Sequence, residues 1–301
     1  MIEIPLRGAG GERVDLQRTL RSHGVADLPP NLITDGVRLS TVLTAGGRAW
    51  AIELGPGRGD QTAHLQAAAG AAEPDAERWE ELAAGVAHML RLDEDLSAFY
   101  ATAAADPALA WVPAAGAGRL LRSPTVFEDV VKTICTTNCA WSGTVRMVSA
   151  LVGSLGTPAE GTADRRAFPS PEAVAQAPAE FFVEVARAGY RGPYLRRLAD
   201  SVAEGELDLE TLGDRSLHDV VVHERLLEID GVGPYAAAHV MMLLGRYRPL
   251  ILDSWTRPTY RRLSGRPRIT DRGIVRAFAR YREFAGLAFW LTLTRHWVDD
   301  G

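Results

Sequence analysis

The stretch whose reading decides the fold is Leu226-Leu-Glu-Ile-Asp-Gly-Val-Gly-Pro-Tyr-Ala-Ala-Ala-His-Val240. Val220, Val221, Leu226, Leu227 and Ile229 lead into it as an apolar helical pattern, and a second helix is predicted over 235–244. Between the two, Gly231 and Gly233 allow a sharp turn, and Pro234 suits the first position of the following helix. Such a turn brings backbone N–H groups to the surface at a helix N-terminus, where they can hold a phosphate oxygen without any basic side chain. The plainer alternative is a helix–helix turn with no ligand.

C-terminal to this turn, Pro249-Leu-Ile-Leu-Asp253 places an aspartate after an apolar run. It is expected to be partly sheltered at a helix N-terminus, which would keep it ionised; the plainer alternative is a simple N-cap. Pro258 fits poorly into a helix starting at Ser254. Arg246, Arg248, Arg257, Arg261, Arg262, Arg266 and Arg268 surround the aspartate in sequence, and helices are predicted over 274–281 and 285–297. N-terminal to the turn, Val145, Val148, Leu151, Val152 and Leu155 form an apolar stripe that stops at Gly156, and Phe181, Phe182, Val185 and Ala186 form another that ends at Gly189. Helical spacing begins near residue 76, with Trp79, Leu82, Val86, Met89 and Leu90. Before it, 37–43 and 48–54 alternate as two strands around a glycine turn, 1–6 adds an edge strand, and 55–73 reads as loop or linker.

The whole chain has 301 residues, 47% of them hydrophobic and 24% charged, a soluble globular composition. Without a membrane-length apolar run or a signal-like start, it is expected to be cytoplasmic, or nucleoid-associated in a bacterium, with no membrane partner. The net charge of −5 argues against a nucleic-acid partner until it is divided along the chain. Residues 1–120 carry −6, 121–200 carry +1, 201–245 carry −7 and 246–301 carry +7. One segment is therefore strongly basic, and its arginines supply sequence-independent, salt-sensitive affinity for phosphate. Of the 33 basic residues only Lys132 is a lysine. Cys135 and Cys139 are the only cysteines, too few for a disulfide framework or a four-cysteine cluster, and both read as buried thiols.

The hairpin followed about 20 residues later by Asp253 resembles the helix-hairpin-helix DNA glycosylases. Further segments are similar to the 8-oxoguanine branch: Leu121–Asn138, Phe168-Pro-Ser-Pro-Glu, Ala188-Gly-Tyr-Arg-Gly-Pro-Tyr194 and His88–Asp93. The resemblance covers about 75–297. It implies an α+β, predominantly α fold: a small N-terminal antiparallel β domain over 1–75, then a two-lobed all-helical domain over 76–301. The lobes would be 121–245 and 76–120 with 246–301. It also implies a monomer acting on double-stranded damaged DNA, with no cofactor and no iron–sulfur cluster, and with room for a monovalent cation at the hairpin.

By the same resemblance Asp253 is the catalytic residue, stabilising positive charge on the sugar as the base leaves and orienting water. The bifunctional relatives attack with a lysine two residues after the second hairpin glycine; this chain has Tyr235 there, so a monofunctional, water-using enzyme is expected. Gly231 and Gly233 would hold the backbone, with Arg257 and Arg261 on phosphates. Asn138 and Arg191 would contact the orphaned base, and Tyr190 would be the wedge beside it. Their plainer readings are an N-cap, a surface arginine and a capping aromatic. Tyr235, His239, Phe289, Trp290 and Leu293 would line the base pocket, whose aromatic faces suit an electron-poor alkylated purine; ordinary core packing is the alternative. Phe289 stands where the 8-oxoguanine enzymes carry a base-reading glutamine. Oxidised, deaminated or bulky bases, or a lesion-binding protein without catalysis, are the competing expectations.

Overall fold

The computed structural model describes residues 2–162 and 164–298. Strands β1 (Ile2–Pro5), β2 (Leu32–Thr34), β3 (Arg38–Ala45), β4 (Arg48–Pro56) and β5 (Thr62–Ala67) form one antiparallel sheet in the order β1-β5-β4-β3-β2. Ala45 pairs with Arg48 across Gly46 and Gly47, whose φ values of 55° and 72° give the two left-handed residues that a tight two-residue hairpin requires. The segment read as a loop over 55–73 in fact contains β5, an interior strand between β1 and β4. Only Ala63 and Leu65 are buried, and Leu65 is the one large apolar residue in the strand, so the alternation is faint in the sequence.

Helices follow: α1 (Leu16–Leu20), within the sheet region, then α2 (Ala76–Met89), α3 (Ser97–Ala104), α4 (Trp111–Ala114), α5 (Val126–Thr136), α6 (Trp141–Leu155) and α7 (Pro171–Ala175). They continue with α8 (Arg191–Ala203), α9 (Asp219–Leu227), α10 (Pro234–Leu243), α11 (Thr256–Ser264), α12 (Asp271–Phe278) and α13 (Ala285–Thr294). The expected helix around Phe181 is a single π-helical turn, in which Phe181 and Phe182 are buried and Val185 is exposed.

Three large cores, with a small fourth one of Val42, Ala49, Ala51, Ala68, Ala159 and Ala167 on the sheet, hold the described residues together. Trp79, Leu82, Val86 and Met89 of α2 pack on Leu39, Leu43 and Ile52 of the sheet, so α2 belongs to the β core rather than to the lobe in which the sequence placed it. The second core joins α5, α6, α8 and α9 through Val130, Ile134, Leu151, Leu195 and Leu226. The third gathers Phe99, Val112, Tyr260, Ile274, Phe278 and Phe289. α10 is apolar all round because it is shared: Val240 and Met241 enter the second core, Ala238, Met242 and Leu243 the third. The hairpin at its N-terminus therefore emerges on the seam between the two helical lobes.

Candidate active site and nucleic-acid interface

A cleft of about 870 Å³ opens on that seam, where the α9–α10 turn, the α5–α6 loop, the start of α8 and the α10–α11 segment meet. Gly231 has φ 86°, and a Cβ there would stand 2.8 Å from Tyr194, so both conformation and space call for glycine. Gly233 caps α10 in extended conformation and brings no side chain to the first turn, where Pro234 occupies the first position. Gly231, Gly233, Pro234 and Tyr235 all line the cleft, so the uncapped helix start opens into it.

Asp253 lines the same cleft as the hairpin. Its Oδ1 accepts the backbone N–H groups of Trp255 at 2.8 Å and Thr256 at 2.6 Å, and its own N–H donates to Thr256 Oγ1 at 2.8 Å. One carboxylate oxygen is thus anchored; Oδ2 accepts no hydrogen bond among the described residues. Because α11 begins at Thr256, Pro258 falls in its first turn, where its missing N–H has no intrahelical partner to lose. The awkward fit disappears with the true start of the helix.

Tyr235 faces the cleft half-buried, with its hydroxyl 3.2 Å from Thr136 Oγ1. Burial raises its pKa, and the Asp253 carboxylate raises it further, so the phenol is neutral near pH 7. Lys132 is remote from this constellation. It is buried in α5, paired with Glu128 at 2.7 Å and donating to the Leu28 carbonyl at 3.2 Å. Among the described residues no amine reaches the cleft.

Asn138, in the left-handed region at φ 46°, projects from the α5–α6 loop and donates to the Tyr190 hydroxyl at 3.3 Å. It is not the N-cap of α6, which is Ala140. Tyr190 is 50% exposed and packs edge-on against Tyr194 with ring centres 5.9 Å apart. Arg191, expected to contact an orphaned base, is turned inward instead. It is buried, donates Nε to the Thr137 carbonyl at 3.0 Å with Nη2 on the same oxygen, and sends Nη1 to the Ala188 carbonyl at 3.4 Å. Its guanidinium lies 4.5 Å from the Tyr190 ring centre. Arg191 braces the loop that carries Asn138 and supports Tyr190 from behind.

The expected base-pocket residues divide. Tyr235 reaches the cleft; Phe289 and Leu293 do not. Phe289 is wholly buried against Phe278 and Tyr260, and Leu293 shares that core, because α13 is apolar on every face and is covered on every face. Trp290 donates its indole N–H to the Ser22 carbonyl at 2.9 Å and packs 5.7 Å from Trp255, so it touches the site only through that neighbour. His239 sits one turn behind Tyr235, buried 5.6 Å from His23. Burial pushes the His239 pKa down to about 4, and burial with the neighbouring His239 pushes His23 to about 3, so both imidazoles are neutral. The sequence reading missed Trp255, 38% exposed beside Asp253, and Tyr194, which covers Gly231. Tyr194 ends the quoted Gly-Tyr-Arg segment and could have been singled out there.

The basic cluster also divides. Arg246 is buried and bound to Asp219 and to the Leu217 and Asp214 carbonyls, which removes it from any interface. Arg257 lines the cleft and is held by both oxygens of Asp271 at 2.9–3.2 Å. Arg261 lies outside the cleft lining and donates weakly to the Ile269 carbonyl at 3.4 Å. Among the described residues no group of three or more His, Cys, Asp or Glu is arranged to hold a metal ion, and no helix is long and apolar enough to cross a membrane.

No protein-family model and no curated protein sequence matches the chain. Solved structures do. The 3-methyladenine DNA glycosylase from Archaeoglobus fulgidus superposes with a TM-score of 0.72 at 22% identity, covering 99% of each chain. The 8-oxoguanine glycosylase/lyase of Clostridium acetobutylicum, in its apo form, gives a TM-score of 0.72 at 20% identity over 94% of each chain. The same enzyme with double-stranded DNA containing cytosine opposite 8-oxoguanine gives 0.66 at 20% identity, covering 91% of this chain and 92% of that one. The small N-terminal sheet and helical lobes described above are therefore those of the helix-hairpin-helix DNA glycosylase fold.

Proposed function

We propose that the protein is a monofunctional DNA glycosylase that excises alkylated purines from double-stranded DNA. The observation that carries the reading is the cleft itself: a carboxylate with one oxygen anchored and the other open lines the same cleft as a glycine hairpin whose helix start has no side-chain cap, with a neutral phenol, Tyr235, in place of an amine. The glycosylase fold over the full chain length supports the class. In the reaction the bond between C1′ and the base nitrogen breaks, and its electron pair leaves with the base. Asp253 stabilises the cationic sugar, water adds to C1′, and the carboxylate takes up the water proton.

Two features favour a purine alkylated on a ring nitrogen. Such a base carries positive charge and departs neutral, without needing a proton, and no histidine lines the cleft among the described residues. Tyr235 lines the cleft and the 38% exposed Trp255 stands two residues from Asp253, aromatic rings that suit a cationic base. The hairpin N–H groups hold the backbone while Tyr190 and Asn138 fill the gap left in the stack.

The test is release of free base from duplexes bearing N3- or N7-alkylated purines, set beside 8-oxoguanine and hypoxanthine duplexes. Asp253→Asn should lower the rate by roughly 10²–10³ with duplex binding retained. Borohydride should trap no covalent complex. Full activity in Asp253→Asn removes the role given to the carboxylate, and efficient trapping removes the water mechanism.

A further inference from the structure

Beyond the cleft, α11, α12 and the loop between them carry a surface that the chemistry does not use. From residue 254 to residue 282 the only acidic side chain is Asp271, and it is committed to Arg257. Arg262, Arg266, Arg268, Arg272 and Arg276 are all exposed, and among the described residues none makes a side-chain hydrogen bond or ion pair. Arg272 and Arg276 lie one turn apart on α12 and share a face. Arg266, Arg268 and Arg276 rim an open groove of about 660 Å³ whose floor is Pro267, Ile269, Gly273 and Ala277.

Five exposed guanidinium groups raise the positive potential of this surface, and the one acid between them, Asp271, is taken by Arg257. Here the missing counter-charge points to an external polyanion. The Arg257–Asp271 pair links the two in structure: Arg257 lines the cleft, and Asp271 begins α12, whose Gly273, Arg276 and Ala277 line the groove. On the hairpin side of the cleft the balance is acidic: Glu228 and Asp230 lead into a depression lined also by Glu206 and Asp208, against two arginines, Arg225 and Arg197, the latter paired with Asp230 at 2.7 Å.

We propose that the α11–α12 groove is a second, lesion-independent phosphate-binding surface, which seats the sugar–phosphate backbone of one duplex arm flanking the cleft, and that the DNA footprint is therefore one-sided. The inference rests on the DNA-binding part of the proposed function but not on base release. Arginine suits the task because its planar fork pairs bidentately with phosphate oxygens, while the apolar floor accommodates the sugar edges.

The experiment uses undamaged duplexes and duplexes with a stable abasic analogue, read by fluorescence anisotropy over a salt series. It compares the wild-type chain with a variant carrying Arg262→Gln, Arg268→Gln, Arg272→Gln and Arg276→Gln, and with the matching Arg→Lys variant. Each phosphate contact contributes about 0.9 to the slope of log K against log salt, so the Gln variant should have a slope smaller by about 3–4, with the Lys variant close to wild type. Trimming one arm of the abasic duplex by about 10 bp, one helical turn, should weaken the wild type and erase its difference from the Gln variant; trimming the other arm should do neither. Equal slopes for wild type and Gln variant, or equal dependence on the two arms, overturn the proposal. So does salt-sensitive self-association of the free wild-type chain that is lost in the Gln variant, because it assigns the groove to the acidic face of a second copy. Because binding is read on undamaged DNA, a protein that binds as described but releases no base would sink the proposed reaction and leave this surface standing.

Discussion

Two regions of the molecule concentrate polar groups, and they are built in opposite ways. Behind the cleft, at the junction of the three cores, Arg91 is fully buried with Nε on Glu94 at 2.6 Å and Nη1 on the Leu243 carbonyl. Glu94 also accepts the Tyr247 hydroxyl at 2.7 Å and Arg215 at 2.9 Å, and Arg119 ties Glu12 to the Glu94 and Arg91 carbonyls. Every charge there has an opposite charge inside the protein. In the cleft the reverse holds: Asp253 Oδ2, the first N–H groups of α10 and the tip formed by Asn138 and Tyr190 face solvent. The contrast separates architecture from function better than residue type does. Arg246 and Arg257 belong to the same basic run in sequence, yet one is consumed by Asp219 and backbone carbonyls, while the other borders the cleft.

The comparison is broken most forcefully by removing one partner from the closed region. Glu94→Gln should cost about 3–5 kcal/mol of folding stability by stranding Arg91, measured by chemical denaturation, with base release per folded molecule nearly unchanged. A variant as stable as the wild type would show that the buried network is not what joins the cores.

Acid should find the same region. His23 and His239, held neutral at about 3 and about 4 against an ordinary value of 6.5, contribute stability that is complete above about pH 6.5 and is lost as pH falls through the folded values. Glu94, held at about 2 by Arg91 despite its burial, contributes stability that is complete above 4.5 and is lost as pH falls toward 2. Denaturation curves should therefore steepen below pH 6.5 by up to about 1.4 kcal/mol per pH unit for each histidine, amounting to about 2 kcal/mol each at pH 5. His239→Gln should flatten that slope; an unaltered slope would mean the imidazole is not held neutral.

The smallest effect probes the boundary between the two regions, where a buried arginine supports exposed residues. Arg191→Lys cannot reproduce the two donations to the Thr137 carbonyl and should lower kcat/KM by about tenfold, about 1.5 kcal/mol. Since Arg191 faces inward, the loss should be the same opposite all four bases, whereas Asn138→Ala should change the ratios among them. Loss confined to one opposite base in Arg191→Lys would return the arginine to the role the sequence suggested.

Much of the site was legible because it is local. A Gly-x-Gly-Pro turn between apolar helices has few conformations, and an aspartate two residues before a tryptophan and three before a threonine can fold back on their N–H groups without help from the rest of the chain. Hence the hairpin, the sheet hairpin at Gly46-Gly47, and a helix beginning shortly after Asp253 all follow from short-range rules. The lone lysine was countable from sequence too, although only its burial beside Glu128 shows that it is held away from the cleft.

What the sequence could not determine depends on direction and on neighbours distant in the chain. α13 is apolar on all faces, so its periodicity carries no information about which face meets the cleft, and Phe289 and Leu293 went to the core. Arg191 reads as a surface residue until the Thr137 carbonyl, 54 residues away, is seen to accept its guanidinium. β5 hides because it carries a single large apolar residue, Leu65, and it becomes a strand only when β1 and β4 supply its hydrogen-bonding partners. Sequence alone determined the turn chemistry, the charge distribution and the absence of an amine at position 235, since these are properties of adjacent residues. Tertiary structure decided which polar groups are satisfied from within and which are left for DNA, because a hydrogen-bond partner or a desolvating neighbour is supplied by chain folded back from elsewhere.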